Sequence, residues 1–211
     1  MRQFPVYLFD VDGTLVDSAA DICGAIQVVL ETTRQNNVSL EFLRRYIGRH
    51  LNDLFIDLIP ELSRQQMEQM VVDYRRIYLD RKHTQTKCYP GVAEALAALP
   101  GRKSTATTKG SPTTRSVLEM FELLPYFDHV QGTDGFPAKP EPDVIFAALK
   151  GLGAKPEECL FVGDSPADME AGKRAGVKTC AALWGYGKRE DMARWEPDYW
   201  INQPGELALQ D

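Results

Sequence analysis

Histidine is scarce, with 3 in 211 residues, and the 4 cysteines show no Cys-x-x-Cys spacing. That argues against zinc ligation and against a disulfide framework. Cys23, Cys88, Cys159 and Cys180 are expected to be free thiols, buried as small apolar residues in a reducing compartment. No apolar run approaches the roughly 20 residues that a membrane-spanning helix needs, so no membrane partner is expected. Positive charge is in deficit: 24 Lys and Arg against 30 Asp and Glu give a formal net charge of -6. That balance argues against generic nucleic-acid or acidic-membrane binding. Met1-Arg2-Gln3-Phe4-Pro5 runs straight into an apolar stretch, so no signal peptide and a cytoplasmic location are expected. Internal repeats and low-complexity tracts are absent too. What remains is a globular composition, 44% hydrophobic and 26% charged, long enough for one domain with an insertion.

Two kinds of pattern divide the chain. From about Ala19 to His83 the apolar residues recur every three or four positions. Ile22, Ile26, Val29 and Leu30 form one such face, and Leu40, Leu43 and Ile47 a second. Leu51, Leu54, Phe55 and Leu58 form a third, and Met67, Met70, Val71, Tyr74, Ile77 and Tyr78 a fourth. Asn36-Asn37 and Ser39 separate the first two, and Pro60 and Ser63 the last two, with Ser63 placed as an N-cap. Four helices and no strand are expected there. After Tyr89-Pro90-Gly91, helical and strand-like segments alternate. Strands are expected at Lys103–Thr107, Asp128–Gln131, Cys159–Val162, Val177–Leu183 and Tyr199–Ile201. Helices are expected at Val92–Leu99, Ser111–Phe121, Pro142–Leu149 and Pro166–Ala175, and the last strand precedes a final segment Glu206–Leu209. Such alternation predicts an α/β fold: a Rossmann-like parallel sheet with helices on both faces. The all-helical segment is then an insertion, giving a core of residues 1–17 and 84–211 and a helical cap of 18–83.

The first strand carries the strongest chemical signal. Val6-Tyr7-Leu8-Phe9 is apolar and ends in Asp10-Val11-Asp12-Gly13-Thr14. Alternation along an extended chain puts Asp10 and Asp12 on one face, and Gly13 lets the chain bend away. Two carboxylates crowded at the carboxyl end of a strand need a metal or hydrogen bonds to offset their repulsion. Three later segments fall at the ends of elements: Thr107-Thr108-Lys109-Gly110, Ala138-Lys139-Pro140-Glu141-Pro142-Asp143, and Gly163-Asp164-Ser165-Pro166-Ala167-Asp168.

In order, these four segments resemble the motifs of the haloacid dehalogenase-like hydrolase superfamily, in its phosphoglycolate phosphatase-like branch. The resemblance implies a phosphatase acting on a small phosphomonoester, with Asp10 as nucleophile and Asp12 as general acid and then base. It implies Thr107 and Lys139 as ligands of the phosphoryl group. Mg²⁺ is the implied cofactor, held by Asp10, Asp164 and the backbone carbonyl of Asp12, with oxygen ligands suited to that ion. Asp168 is expected to act from behind this shell or through Lys139. Gly13, Thr14 and Thr108 are further candidates for substrate contact, although Thr108 stands where related phosphatases often have Asn. Arg49 and His50, in the basic stretch Arg44–His50 of the helical segment, are candidates for contacting the leaving group; Arg44 and Arg45 are expected to be solvated. The segment Trp184-Gly185-Tyr186-Gly187 is expected to pack with glycine-enabled turns. 2-Phosphoglycolate is the leading substrate. A sugar-phosphate phosphomutase shares all these residues, and a non-enzymatic binding protein on this fold is a further alternative. Monomer and homodimer both remain open.

Overall fold

The computed structural model describes residues 2–35 and 37–208. Met1, Asn36 of the expected inter-helix break, and Leu209 at the end of the final segment lie outside the described residues. Strand β1 (Val6–Phe9) buries all its side chains. It lies between β4 (Arg102–Thr105) and β5 (Cys159–Gly163), and the sheet continues through β6 (Lys178–Ala182) to β7 (Tyr199–Ile201). Every pairing in the order β4-β1-β5-β6-β7 is parallel. Helices therefore cover both faces, which is why β1 reads as an unbroken apolar run. Tyr7 and Phe9 pack with Leu160, Val162, α5 (Val92–Ala98) and α6 (Ser111–Met120) on one face. Val6 and Leu8 face α7 (Asp143–Leu152) and α8 (Pro166–Ala175) on the other.

The polar strand β4 is tolerated because it is an edge. Its buried hydroxyls find local partners: Thr105 Oγ1 donates to the Gln131 carbonyl at 2.9 Å and accepts from Gln131 N–H at 2.8 Å. Lys103 Nζ donates to the Leu99 and Gly101 carbonyls at 2.7 and 2.8 Å. The expected strand at Asp128–Gln131 is present only as isolated bridges, Ser104 to His129 and Thr107 to Gly132. The side chain of Asp128 explains the interruption, because it accepts the Lys103 N–H at 2.8 Å. A short helix not foreseen from the pattern, α9 (Arg189–Ala193), precedes β7.

The helical segment folds as α1 (Ala19–Leu30), α2 (Leu40–Arg44), α3 (Leu51–Leu58) and α4 (Arg64–Asp80). Ile22, Ile26, Leu43, Leu54, Phe55, Met70 and Tyr78 form its own apolar core. Ser63 caps α4 in a reciprocal pair with Gln66. At its two ends the chain crosses through an antiparallel ribbon that periodicity did not reveal, β2 (Val16–Asp17) against β3 (Lys87–Cys88). Two residues per strand are too few to leave a period.

Asp21 on α1 locks this crossing. It is fully buried and accepts from Gln85 N–H at 2.9 Å, Thr86 Oγ1 at 2.8 Å and Arg81 Nε at 3.3 Å. Asp21→Ala leaves those donors without their acceptor and is expected to cost about 2–4 kcal/mol. The expected readout is a lower urea midpoint with an unchanged slope. A loss below about 0.5 kcal/mol would show that water replaces the carboxylate.

Candidate functional site

The strand order reverses beside β1: the chain places β4 on one side of it and β5 on the other. In open parallel sheets the crevice at such a reversal, beyond the carboxyl ends, is where ligands bind. Asp10 follows β1 and Asp164 follows β5, both buried. Ala106 N–H bonds the Phe9 carbonyl at 2.8 Å, so the segment after β4 stays against β1 and delivers Thr107 to the same end.

Asp10, Asp164 and Asp168 offer carboxylate oxygens within 4.8 Å of one another, all buried. Lys139 is set among them. Its Nζ lies 2.8 Å from Asp10 Oδ1 and 2.5 Å from Asp168 Oδ1, and donates to the Ala106 carbonyl at 3.1 Å. All three N–H groups are thereby engaged. Burial alone would lower the Lys139 pKa, but Asp10 and Asp168 hold it above its ordinary value, so the ammonium stays charged. Asp10 is pushed upward by burial, against the pull of Lys139 and with the push of Asp168. Asp164 is raised by burial and then by Asp168 and Asp10. Three carboxylates against one ammonium leave a buried excess of negative charge, which a divalent cation would relieve.

The other bonds sort these oxygens. Asp168 is spent on protein: Oδ1 takes Lys139, and Oδ2 accepts from Ser165 N–H at 2.9 Å and Ser165 Oγ at 2.6 Å. Asp164 is oriented by Thr14 Oγ1 at 2.9 Å on Oδ1 and by Tyr186 N–H at 2.8 Å on Oδ2, leaving lone pairs free on each. The Asp12 carbonyl accepts no hydrogen bond from a described residue. Asp10, Asp164 and that carbonyl are thus a hard-oxygen set that fits Mg²⁺. Gly13, at φ +91°, makes the approach possible, because a Cβ there would overlap the Asp164 carboxylate. A Cβ on Gly185 would likewise overlap the Asp164 carboxylate, and one on Gly187 would overlap the Asp164 backbone carbonyl.

Asp12 is held by two groups. Ser18 Oγ donates to Oδ1 at 2.5 Å, and Lys109 Nζ lies 3.0 Å from Oδ2. Lys109 in turn donates to Tyr78 Oη of α4 at 2.8 Å. Burial would lower the Lys109 pKa, but Asp12 and then Tyr78 and Tyr74 hold it above its ordinary value. Sequence reasoning assigned no role to Ser18, Lys109 or Tyr186. Lys109 carried a signal in its place beside Thr107 and Thr108; the segment Trp184–Gly187 pointed only to packing, whereas the Tyr186 hydroxyl meets Asp17, Ser18 and Ala19 at 2.8–3.1 Å.

Other candidates lie elsewhere. The Thr108 hydroxyl donates to the Gly48 carbonyl of the helical segment at 3.3 Å. Arg49 pairs with Asp53 at 3.6 Å and covers the Tyr46 ring, half exposed. His50 Nδ1 caps α3, accepting from Asn52 N–H at 3.3 Å. In this arrangement neither side chain joins the carboxylate cluster. The four thiols are free, and no helix among the described residues is long and apolar enough to cross a membrane.

Residues 7–182 match a family model described as haloacid dehalogenase-like hydrolase. The chain is 36% identical over 207 residues to a phosphoglycolate phosphatase from Aquifex aeolicus (strain VF5), a match that covers 96% of this chain and 94% of that protein. It is 32% identical over 204 residues to the pyrophosphatase PpaX of Bacillus cereus (strain AH820), covering 95% and 93%. The solved structure of a haloacid dehalogenase-like family hydrolase from Streptococcus pneumoniae superposes with a TM-score of 0.88 at 27% identity, covering 98% of both chains. A likeness in sequence and in fold that runs nearly end to end leaves one conclusion: the chain belongs to the haloacid dehalogenase-like hydrolase family.

Proposed function

We propose that this phosphoric monoester hydrolase cleaves a small soluble phosphomonoester through an aspartyl-phosphate on Asp10. The observation that carries the reading is the buried cluster in which Lys139 binds Asp10 and Asp168 while Asp164 stands alongside. Phosphoryl transfer needs an in-line nucleophile and compensation for charge on the equatorial oxygens. Lys139 holds Oδ1 of Asp10, and no described group donates to Oδ2. The Asp10 carboxylate attacks phosphorus, the ester P–O bond breaks, and Asp12 gives its proton to the leaving oxygen. Water then attacks the same phosphorus, Asp12 takes its proton, and the bond between phosphorus and Asp10 breaks to release phosphate. Thr107 would bond a phosphoryl oxygen. Asp10, Asp164 and the Asp12 carbonyl would hold Mg²⁺, which supplies charge neutralisation of the phosphoryl oxygens when bound. Residues 18–83 would act as a cap that excludes bulky esters, and Arg49 and His50 would have to leave their partners Asp53, Tyr46 and Asn52 to contact the leaving group.

2-Phosphoglycolate is the leading substrate, supported by the activity named for the Aquifex aeolicus relative. The name of the Bacillus cereus relative adds pyrophosphate as the second compound to assay. Phosphate release from a panel of small phosphomonoesters, pyrophosphate and glucose phosphates is expected to require Mg²⁺, to stop with EDTA, and to concentrate on one compound. Isomerised sugar phosphate in place of free phosphate would replace the phosphatase with a mutase. Absence of any turnover would leave a binding protein. Asp10→Asn is expected to lower kcat by at least about a thousandfold, because the amide is a poor nucleophile of the same shape. Unchanged circular dichroism would attribute that loss to chemistry, and retention of more than about a tenth of the activity would remove Asp10 from its role.

A further inference from the structure

Two lysines enter the site, and their surroundings differ in one respect. Lys139 has three acceptors for its three N–H groups. Lys109 has two among the described residues, Asp12 Oδ2 at 3.0 Å and Tyr78 Oη at 2.8 Å. Its side chain is only 8% exposed, so bulk water does not freely solvate the third N–H. The Tyr78 ring lies 4.5 Å below the ammonium, and Tyr74 stacks on Tyr78 at 5.7 Å. A cation walled by aromatic rings interacts strongly with any anion that reaches it.

Asp12 locates that anion. A leaving-group oxygen hydrogen-bonded to the Asp12 carboxyl lies within about 6 Å of Lys109 Nζ, given the 3.0 Å pair. A carboxylate or phosphoryl oxygen one or two bonds further along spans the gap. The alternative cation, Arg49, is engaged with Asp53 and Tyr46.

We propose that Lys109 is a substrate-binding residue that recognises a negative charge on the leaving group, and so restricts the enzyme to phosphoryl compounds whose leaving group is anionic. This rests on the phosphatase reading above and deepens it. Two sources share the chemistry, a carboxylate and a second phosphate, and the substrates of the test separate them. Lys109 is not assigned to phosphoryl transfer itself; its third N–H goes to the departing part of the substrate.

The test compares kcat/KM for 2-phosphoglycolate, pyrophosphate and 2-hydroxyethyl phosphate, the last replacing the carboxylate of phosphoglycolate by a neutral alcohol. Wild-type enzyme is expected to prefer one or both anionic compounds. Lys109→Met, which also frees Asp12 and so lowers turnover of every substrate, is expected to reduce the ratio of kcat/KM for the preferred anionic compound to that for the neutral one by about 10- to 100-fold. Ratios between substrates within one preparation cancel any loss of folded protein. Lys109→Arg, which keeps the charge, is expected to retain the preference, and so is Tyr78→Phe, which removes only the tether to α4. Preference for phosphoglycolate identifies the carboxylate as the ligand, and preference for pyrophosphate the second phosphate. An equal loss on all three compounds in Lys109→Met would overturn the assignment and leave Lys109 a positioning residue for Asp12. Equal use of the charged and neutral compounds by the wild type would also overturn it. Turnover of none of them would overturn the phosphatase reading, and this inference with it.

Discussion

The site depends on one buried ammonium. Without Lys139, three carboxylates would share a dry space at the ends of β1 and β5, and their repulsion would favour protonation or a looser arrangement. With it, Asp10 and Asp168 are drawn to one point, and Asp168 is also fixed to the start of α8 through Ser165. The strand that ends in Asp10 and the helix that follows Asp164 are thus joined by charge as well as by packing. Removing one partner of such a cluster leaves an uncompensated buried charge, so the members are interdependent. One ammonium still leaves negative charge in excess, and the same arrangement that positions Asp10 therefore favours a divalent cation.

A second network ties the helical segment to the chemistry. Ser18, just before α1, and Lys109, bonded to Tyr78 of α4, grip the two oxygens of Asp12. Tyr186 joins Asp164 through its N–H to the start of α1 through its hydroxyl. Thr108 reaches the Gly48 carbonyl. The first crossing of the chain into the helical segment thus contacts a carboxylate of the site through Ser18, and Asp21 locks the second crossing to α1. Movement of the helices relative to the sheet would change the partners of Asp12 before it changed those of Asp10.

Much of this fold was legible. The alternation after Tyr89 and the helical period before His83 separate sheet from insertion, because a buried parallel strand and an amphipathic helix leave different periods. The departures have local causes. Asp128 caps a backbone N–H and interrupts an expected strand, and the two-residue ribbon is too short to have a pattern. At the site, Asp10, Lys139, Asp164 and Asp168 were legible because acids and a lysine at the ends of elements stand out against their surroundings. Tyr186 was not, since the features that matter are a backbone N–H that meets Asp164 and a hydroxyl that meets groups more than 150 positions away in sequence.

By itself the sequence determined the α/β class, the helical insertion after the first strand and the identity of the acidic residues, since each depends on local pattern: period, turn residues, and charge at the end of an apolar run. Only the tertiary structure decided how those acids divide the work. Asp168 gives both oxygens to Lys139 and Ser165, while Asp164 keeps lone pairs free, and the two look alike in the chain. Tertiary structure also decided which cations matter. Arg49 and His50 stand in a basic stretch but satisfy partners within the helices, whereas Lys109 is drawn inward to Asp12. The reason is physical: the role of a charge is set by which partners remain once every neighbour has been satisfied, and those neighbours are brought together only by folding.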